Sequence, residues 1–296
     1  MSICKDITTK SIKEVLFLSD LDGTLLQTDK TVSQESICIL EDLLKKGLQF
    51  SIVTARTPCT VIGILKQLKL SLPIGCMNGA VLYDLEKQRY IEYQSISYEN
   101  SEVISKIFSQ FQADVFIHTL AQNEILHIYH DKIRTKAALD FYHERMNLPL
   151  KHYEQAPLPK GQDTVYFTGI GEKQKIRLVY DSLLSSPVSS MLQMCFYQDI
   201  YDDDVYFLEI YAEKASKKYA LERLKERSNA NYVVAFGDHE NDLDMLETAD
   251  LGIAVENATP NCKMAANQII GHHNCSSVAK EILKISQQLL IETNHK

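Results

Sequence analysis

Apolar positions follow one rhythm at the two ends of the chain and another in the middle. In the first third, runs of consecutive apolar residues alternate with stretches where they recur every three or four positions. Val15–Ser19 and residues 50–54 and 73–77 read as strands. Between them, Ser33 caps a helix with Ile37, Leu40, Leu43 and Leu44 on one face and Gly47 as its stop. Thr57-Pro58 opens a second, with Val61, Ile62, Leu65 and Leu68 inward. Strands apolar on both faces predict a parallel sheet covered by helices on either side. The last third repeats this grammar: a helix from Ser216, a strand over residues 232–236, a short helix capped by Asn241, a strand at Leu251–Val255, a helix from Thr259-Pro260, a strand at 269–270 and a final helix from about Ser277. The middle reads as a mixed α+β unit. A hairpin spans residues 80–84 and Arg89–Tyr93; strands are expected at 115–119, Ile125–Tyr129, 165–169, 191–196 and 205–210, and helices at 101–111, 134–146 and 172–184. The short spacers at 120–124 and 197–204 predict antiparallel pairs.

The 296 residues suit two domains, and 45% hydrophobic types is ordinary globular usage. Only 11 glycines and 7 prolines rule out collagenous and low-complexity readings. A net charge of −8 is a poor basis for sequence-independent nucleic-acid binding, which needs a positive surface. The seven cysteines show no C-x-x-C pair, which argues against a disulfide framework and a structural zinc site and points to reduced thiols of a cytoplasmic protein. No apolar run is long enough for a membrane span, and the first fourteen residues lack the apolar stretch of a signal peptide.

Two acidic turns stand directly after predicted strands: Asp20-Leu21-Asp22-Gly23-Thr24 and Gly237-Asp238-His239-Glu240-Asn241-Asp242. Ligands bind at the carboxyl ends of strands in open parallel sheets. If both strands belong to one sheet, Asp20, Asp22, Asp238 and Asp242 converge on one edge. Two unit charges 4 Å apart repel by about 4 kcal/mol at an effective dielectric near 20. Such a cluster must protonate or hold cations, and an all-oxygen ligand set favours a hard ion such as Mg²⁺. Lys217 can supply a fixed positive charge and Thr54 a hydroxyl donor.

In that order, Asp20 to Thr24, Thr54, Lys217 and Gly237 to Asp242 resemble the four motifs of haloacid dehalogenase-like phosphohydrolases. Placement of the inserted unit between the second and third motifs, with Asn78-Gly79-Ala80 and residues 254–258, resembles the Cof-type subgroup with a C2-type cap. Ala55 stands where glycine is usual after the motif threonine, and Lys218 where glycine commonly follows the motif lysine. The resemblance implies an α/β fold: a Rossmann-like parallel-sheet core, residues 1–83 and 209–296, interrupted by an α+β cap at 84–208. It implies a phosphatase in which Asp20 attacks phosphorus to form an aspartyl-phosphate and Asp22 serves as acid, then base. Thr54 and Lys217 would bind the phosphoryl group. Mg²⁺ would be held by the Asp20 carboxylate, the Asp22 main-chain carbonyl and Asp238, with Asp242 acting through water. Asn241 would orient the loop, and Arg56, Asn78 and Gly79 would touch substrate. The expected partner is a small phosphorylated metabolite, a sugar phosphate or phosphorylated cofactor, with no nucleic acid or membrane and with a monomer or small homo-oligomer as the assembly. The cap would close over the catalytic edge and select the substrate. Rival readings are a phosphosugar mutase with the same nucleophile and a non-catalytic sugar-phosphate-binding regulator on the same scaffold.

Overall fold

The structure, a computed structural model, describes residues 7, 10–121, 125–199 and 202–293. It divides into two compact units, one from residues 1–88 and 216–296, the other Arg89–Ala215. In chain order the first unit begins with β1 (Val15–Ser19), α1 (Gln34–Lys45), β2 (Gln49–Ile52), α2 (Pro58–Leu65), β3 (Ile74–Cys76) and β4 (Val81–Asp84). The second comprises β5 (Arg89–Tyr93), α3 (Tyr98–Gln110), β6 (Asp114–Ala121), β7 (Ile125–Tyr129), α4 (Lys136–Arg145), β8 (Lys151–Glu154), β9 (Tyr166–Glu172), α5 (Lys173–Leu184), β10 (Leu192–Gln198) and β11 (Val205–Ala212). The chain then returns to the first unit through α6 (Lys217–Ser228), β12 (Tyr232–Gly237), α7 (Leu243–Thr248), β13 (Leu251–Val255), α8 (Pro260–Ala265), β14 (Gln268–Ile270) and α9 (Ser277–Thr293).

The first unit is built on a parallel sheet ordered β14-β13-β12-β1-β2. β1, β12 and β13 are buried along their whole length, as their unbroken apolar runs require. From β1 the chain steps to β2 on one side; on its return it fills β12, β13 and β14 on the other. The strand order therefore reverses between β1 and β12, the place where open α/β sheets form a crevice at their carboxyl ends.

The second unit has a six-stranded sheet ordered β10-β11-β9-β6-β7-β8, antiparallel except for β7 with β8. Its core packs Ile104 and Phe108 of α3 and Ile176, Val179 and Leu183 of α5 against Phe167 and Leu208. On α4, Phe141 lies 5.2 Å from the Phe116 ring and 6.1 Å from that of Phe207. The strand pairs expected around the two spacers are β6–β7 and β10–β11; residues 122–124 and 200–201 of those spacers lie outside the described residues. β8 was not legible. Its Lys-His-Tyr-Glu sequence has no buried residue, because it is an edge strand. The units divide at Gln88–Arg89 and Ala215–Ser216 rather than at 83–84 and 208–209, since β11 is one continuous strand of the inserted sheet and keeps residues 209–212 there.

Candidate active site

Ser19 pairs with Phe236 at the end of β12, so Asp20 leaves the sheet beside Gly237. The Asp20 N–H donates to the Phe236 carbonyl at 3.0 Å. The chain then turns through Leu21–Leu25, closed by the Leu26 N–H on the Leu21 carbonyl at 2.8 Å. Gly23 holds φ at +76°, and a Cβ there would lie 2.4 Å from Asp238 Oδ2. Glycine is needed both for the left-handed backbone and for the close approach to that carboxylate.

Lys217 is the first residue of α6, whose Ser216 cap accepts from the Tyr219 N–H. Its Nζ donates to Asp20 Oδ1 at 2.6 Å and to Asp242 Oδ1 at 2.5 Å, all three residues being buried. The other Asp242 oxygen accepts the N–H groups of Asp238 and His239 at 2.9 and 3.0 Å. Both oxygens of Asp242 are thus engaged in holding the turn and the lysine. Asp238 Oδ1 accepts the Thr24 hydroxyl at 2.8 Å. Among the described residues no donor reaches Asp20 Oδ2 or Asp238 Oδ2. Oxygens of Asp20, Asp238 and Asp242 lie within 4.8 Å of one another.

Three carboxylates therefore face one ammonium. Burial pushes the Asp20 carboxyl up to about 8, opposed by Lys217 and reinforced by Asp242 and Asp238. Burial raises Asp238 as well. Burial works against the Lys217 charge, but Asp20 and Asp242 outweigh it and hold the ammonium above its usual range. A divalent cation would cancel the excess negative charge. The donors are all oxygen and two carboxylate oxygens are free, a set that fits Mg²⁺, which keeps waters and takes few protein ligands.

The Asp22 carboxylate stands outside this cluster. Arg56 grips it as a fork, Nε to Oδ2 at 2.6 Å and a terminal nitrogen to Oδ1 at 2.5 Å. The hydrogen bonds to Asp22 raise the Arg56 guanidinium further, against burial. The Asp22 side chain remains 50% exposed and that of Arg56 21%.

Thr54 is buried just beyond β2, its N–H on the Gly75 carbonyl at 2.9 Å. Its hydroxyl accepts the Arg56 N–H at 3.2 Å and its carbonyl the Asn78 N–H at 3.0 Å. Met77, Asn78 and Gly79 all have positive φ, at 54°, 54° and 85°. This left-handed turn brings the Asn78 side chain to Asn241, whose amide donates to Asn78 Oδ1 at 2.8 Å. Asn241 does not cap α7: it lies in the 3₁₀ turn Glu240–Asp242 and reaches Asn78 instead.

The expected site residues fall into three linked groups: Asp20, Asp238, Asp242 and Lys217; Asp22 with Arg56; and Thr54 with Asn78, Gly79 and Asn241. Thr24, Met77 and Asn257 also shape these groups. Asn257 donates its amide to the Gly23 carbonyl at 2.7 Å and so steadies the turn after β1. Thr24 was visible as the last residue of the first acidic motif. Met77 and Asn257 carry no such local signal.

A family profile for haloacid dehalogenase-like hydrolases matches residues 17–282. The chain belongs to this family. A putative phosphatase of Haemophilus influenzae is 25% identical, with 88% of this chain and 94% of that one covered. The pyridoxal phosphate phosphatase of Escherichia coli is 26% identical over 89% of this chain and 95% of its own. The fold is shared with a solved HAD subclass IIB sugar phosphatase, TM-score 0.68 at 17% identity, covering 91% of this chain and 97% of that one. Among the described residues no helix is long and apolar enough to cross a membrane.

Proposed function

We propose that this hydrolase is a Mg²⁺-dependent phosphatase acting on small phosphomonoesters through an aspartyl-phosphate on Asp20. The observation that carries the reading is the pair of donor-free carboxylate oxygens on Asp20 and Asp238, at the strand-order reversal beside buried Lys217.

The Asp20 carboxylate attacks phosphorus in line with the ester oxygen. The P–O bond to the leaving group breaks, its electron pair goes to the leaving oxygen, and Asp22 supplies the proton. Water then attacks phosphorus, Asp22 takes its proton, and Asp20 is regenerated with release of phosphate. Lys217 holds Asp20 in place and neutralises the charge that gathers on the equatorial oxygens. The Thr54 hydroxyl donates to the same group. Mg²⁺ would be held by Asp20, the Asp22 main-chain carbonyl and Asp238, and would supply Lewis-acid charge that lets two anions meet. Asp242 fixes Lys217 and the Asp238 turn. The names of the relatives support a phosphorylated cofactor or sugar phosphate as substrate.

A panel of phosphate esters assayed with Mg²⁺ for free phosphate tests this reading. Release is expected from several small esters and is abolished by chelator and by Asp20→Asn. Conversion of a sugar phosphate to its isomer without phosphate release would replace it with a mutase reading.

A further inference from the structure

The fork between Arg56 and Asp22 sits awkwardly with a fixed general acid. Each Asp22 oxygen accepts from the guanidinium, so in this arrangement Arg56 sets where the carboxylate points. Arg56 is anchored through its backbone: its N–H donates to Thr54 Oγ1 at 3.2 Å and its carbonyl accepts the Met77 N–H at 2.9 Å. Asp22, by contrast, is exposed and lies in a turn with non-helical backbone next to Gly23. The arginine is the more enclosed partner, its side chain 21% exposed, and the carboxylate the more open one, at 50%. The Arg56 N–H on the Thr54 hydroxyl sets the arginine beside a group assigned above to the phosphoryl oxygens.

We propose that Arg56 is a latch on Asp22 that the substrate itself opens. In the resting enzyme the fork holds the acid aside. The phosphoryl dianion, tetrahedral and rich in acceptor oxygens, two of which can meet a guanidinium side by side, competes for the same donors. Once it takes them, Asp22 is released toward the leaving oxygen. Arg56 thus binds the phosphoryl group and sets Asp22 in one exchange, and the inference rests on the phosphatase reading above.

The test is a double-mutant cycle on the Mg²⁺-loaded full chain, with inorganic phosphate as the probe and calorimetry as the readout. Asp22→Ala frees the fork, so phosphate binds about tenfold tighter, between the worth of an exposed ion pair and that of a charge-assisted bidentate one. Arg56→Gln weakens binding, and adding Asp22→Ala to it changes the affinity by less than about twofold, because there is no latch left to open. In the nitrogen–proton spectrum, phosphate and Asp22→Ala each displace the same Arg56 Nε–H resonance, identified by its loss in Arg56→Gln. An equal tightening by Asp22→Ala in the Arg56→Gln background overturns the latch, since only the lost negative charge then matters. So does an Asp22→Ala protein that binds phosphate no better than the wild type. Phosphate release from esters is measured separately, so a failed cycle with intact turnover removes the latch alone, and absent turnover removes the phosphatase.

Discussion

Asp20 is held between burial, which favours its neutral form, and Lys217, which favours the carboxylate; burial wins, at about 8. A carboxyl whose pKa is raised on folding stabilises the protein fully below its unfolded value, near 4, and that contribution is lost as pH rises toward 8. The melting temperature of the metal-free protein is therefore expected to fall between pH 5 and pH 8, approximately the window set by these values, and Mg²⁺ is expected to flatten the fall by taking the ionised form. Apparent Mg²⁺ affinity should rise over the same interval, as titration calorimetry would show. Lys217→Met leaves two buried carboxylates without their cation and is expected to cost roughly 3–5 kcal/mol in denaturant unfolding, with loss of turnover. Asp20, Asp238, Asp242 and Lys217 were legible because each sits at a strand end or helix start, where the backbone alone decides its position. The Arg56 fork was not, since it depends on how a long arginine reaches an aspartate thirty-four residues away across two turns.

Two glycines show how an element passes its geometry to the site. Gly79 has φ +85°, and a Cβ on it would lie 2.1 Å from the Ser216 carbonyl oxygen. Ser216 caps α6, and Lys217 follows it. Gly79→Ala is thus expected to lower the melting temperature by several degrees and also to reduce kcat by displacing Lys217. Gly63, inside α2, has nothing within 4 Å of its Cβ position. Gly63→Ala is expected to stabilise by about 0.5–1 kcal/mol through helix propensity and to leave kcat unchanged. Most helices and core strands could be read from apolar spacing. The three consecutive left-handed residues at 77–79 could not, because Met77 has no intrinsic preference for that backbone and is held there by long-range contacts. β8 escaped for a related reason: an edge strand takes its identity from its partner, not from its own pattern.

At the scale of the whole chain, an α+β unit interrupts a parallel-sheet unit between β4 and α6. The inserted unit has its own sheet and its own helix-covered core. Residues 89–215 produced alone are expected to melt in a single cooperative transition by circular dichroism; a featureless melt would show that the insertion depends on its host. The host brings residues more than two hundred positions apart to one sheet edge, and the proposed chemistry depends on the nucleophile standing there. Acid-quenching the enzyme during turnover of a phosphomonoester with Mg²⁺, then mapping phosphopeptides by mass spectrometry, tests this most directly. An acyl phosphate on Asp20, absent from an inactive Asp20→Asn protein, is the predicted result. A phosphoryl group on another residue, or undiminished phosphate release by Asp20→Asn, would contradict it.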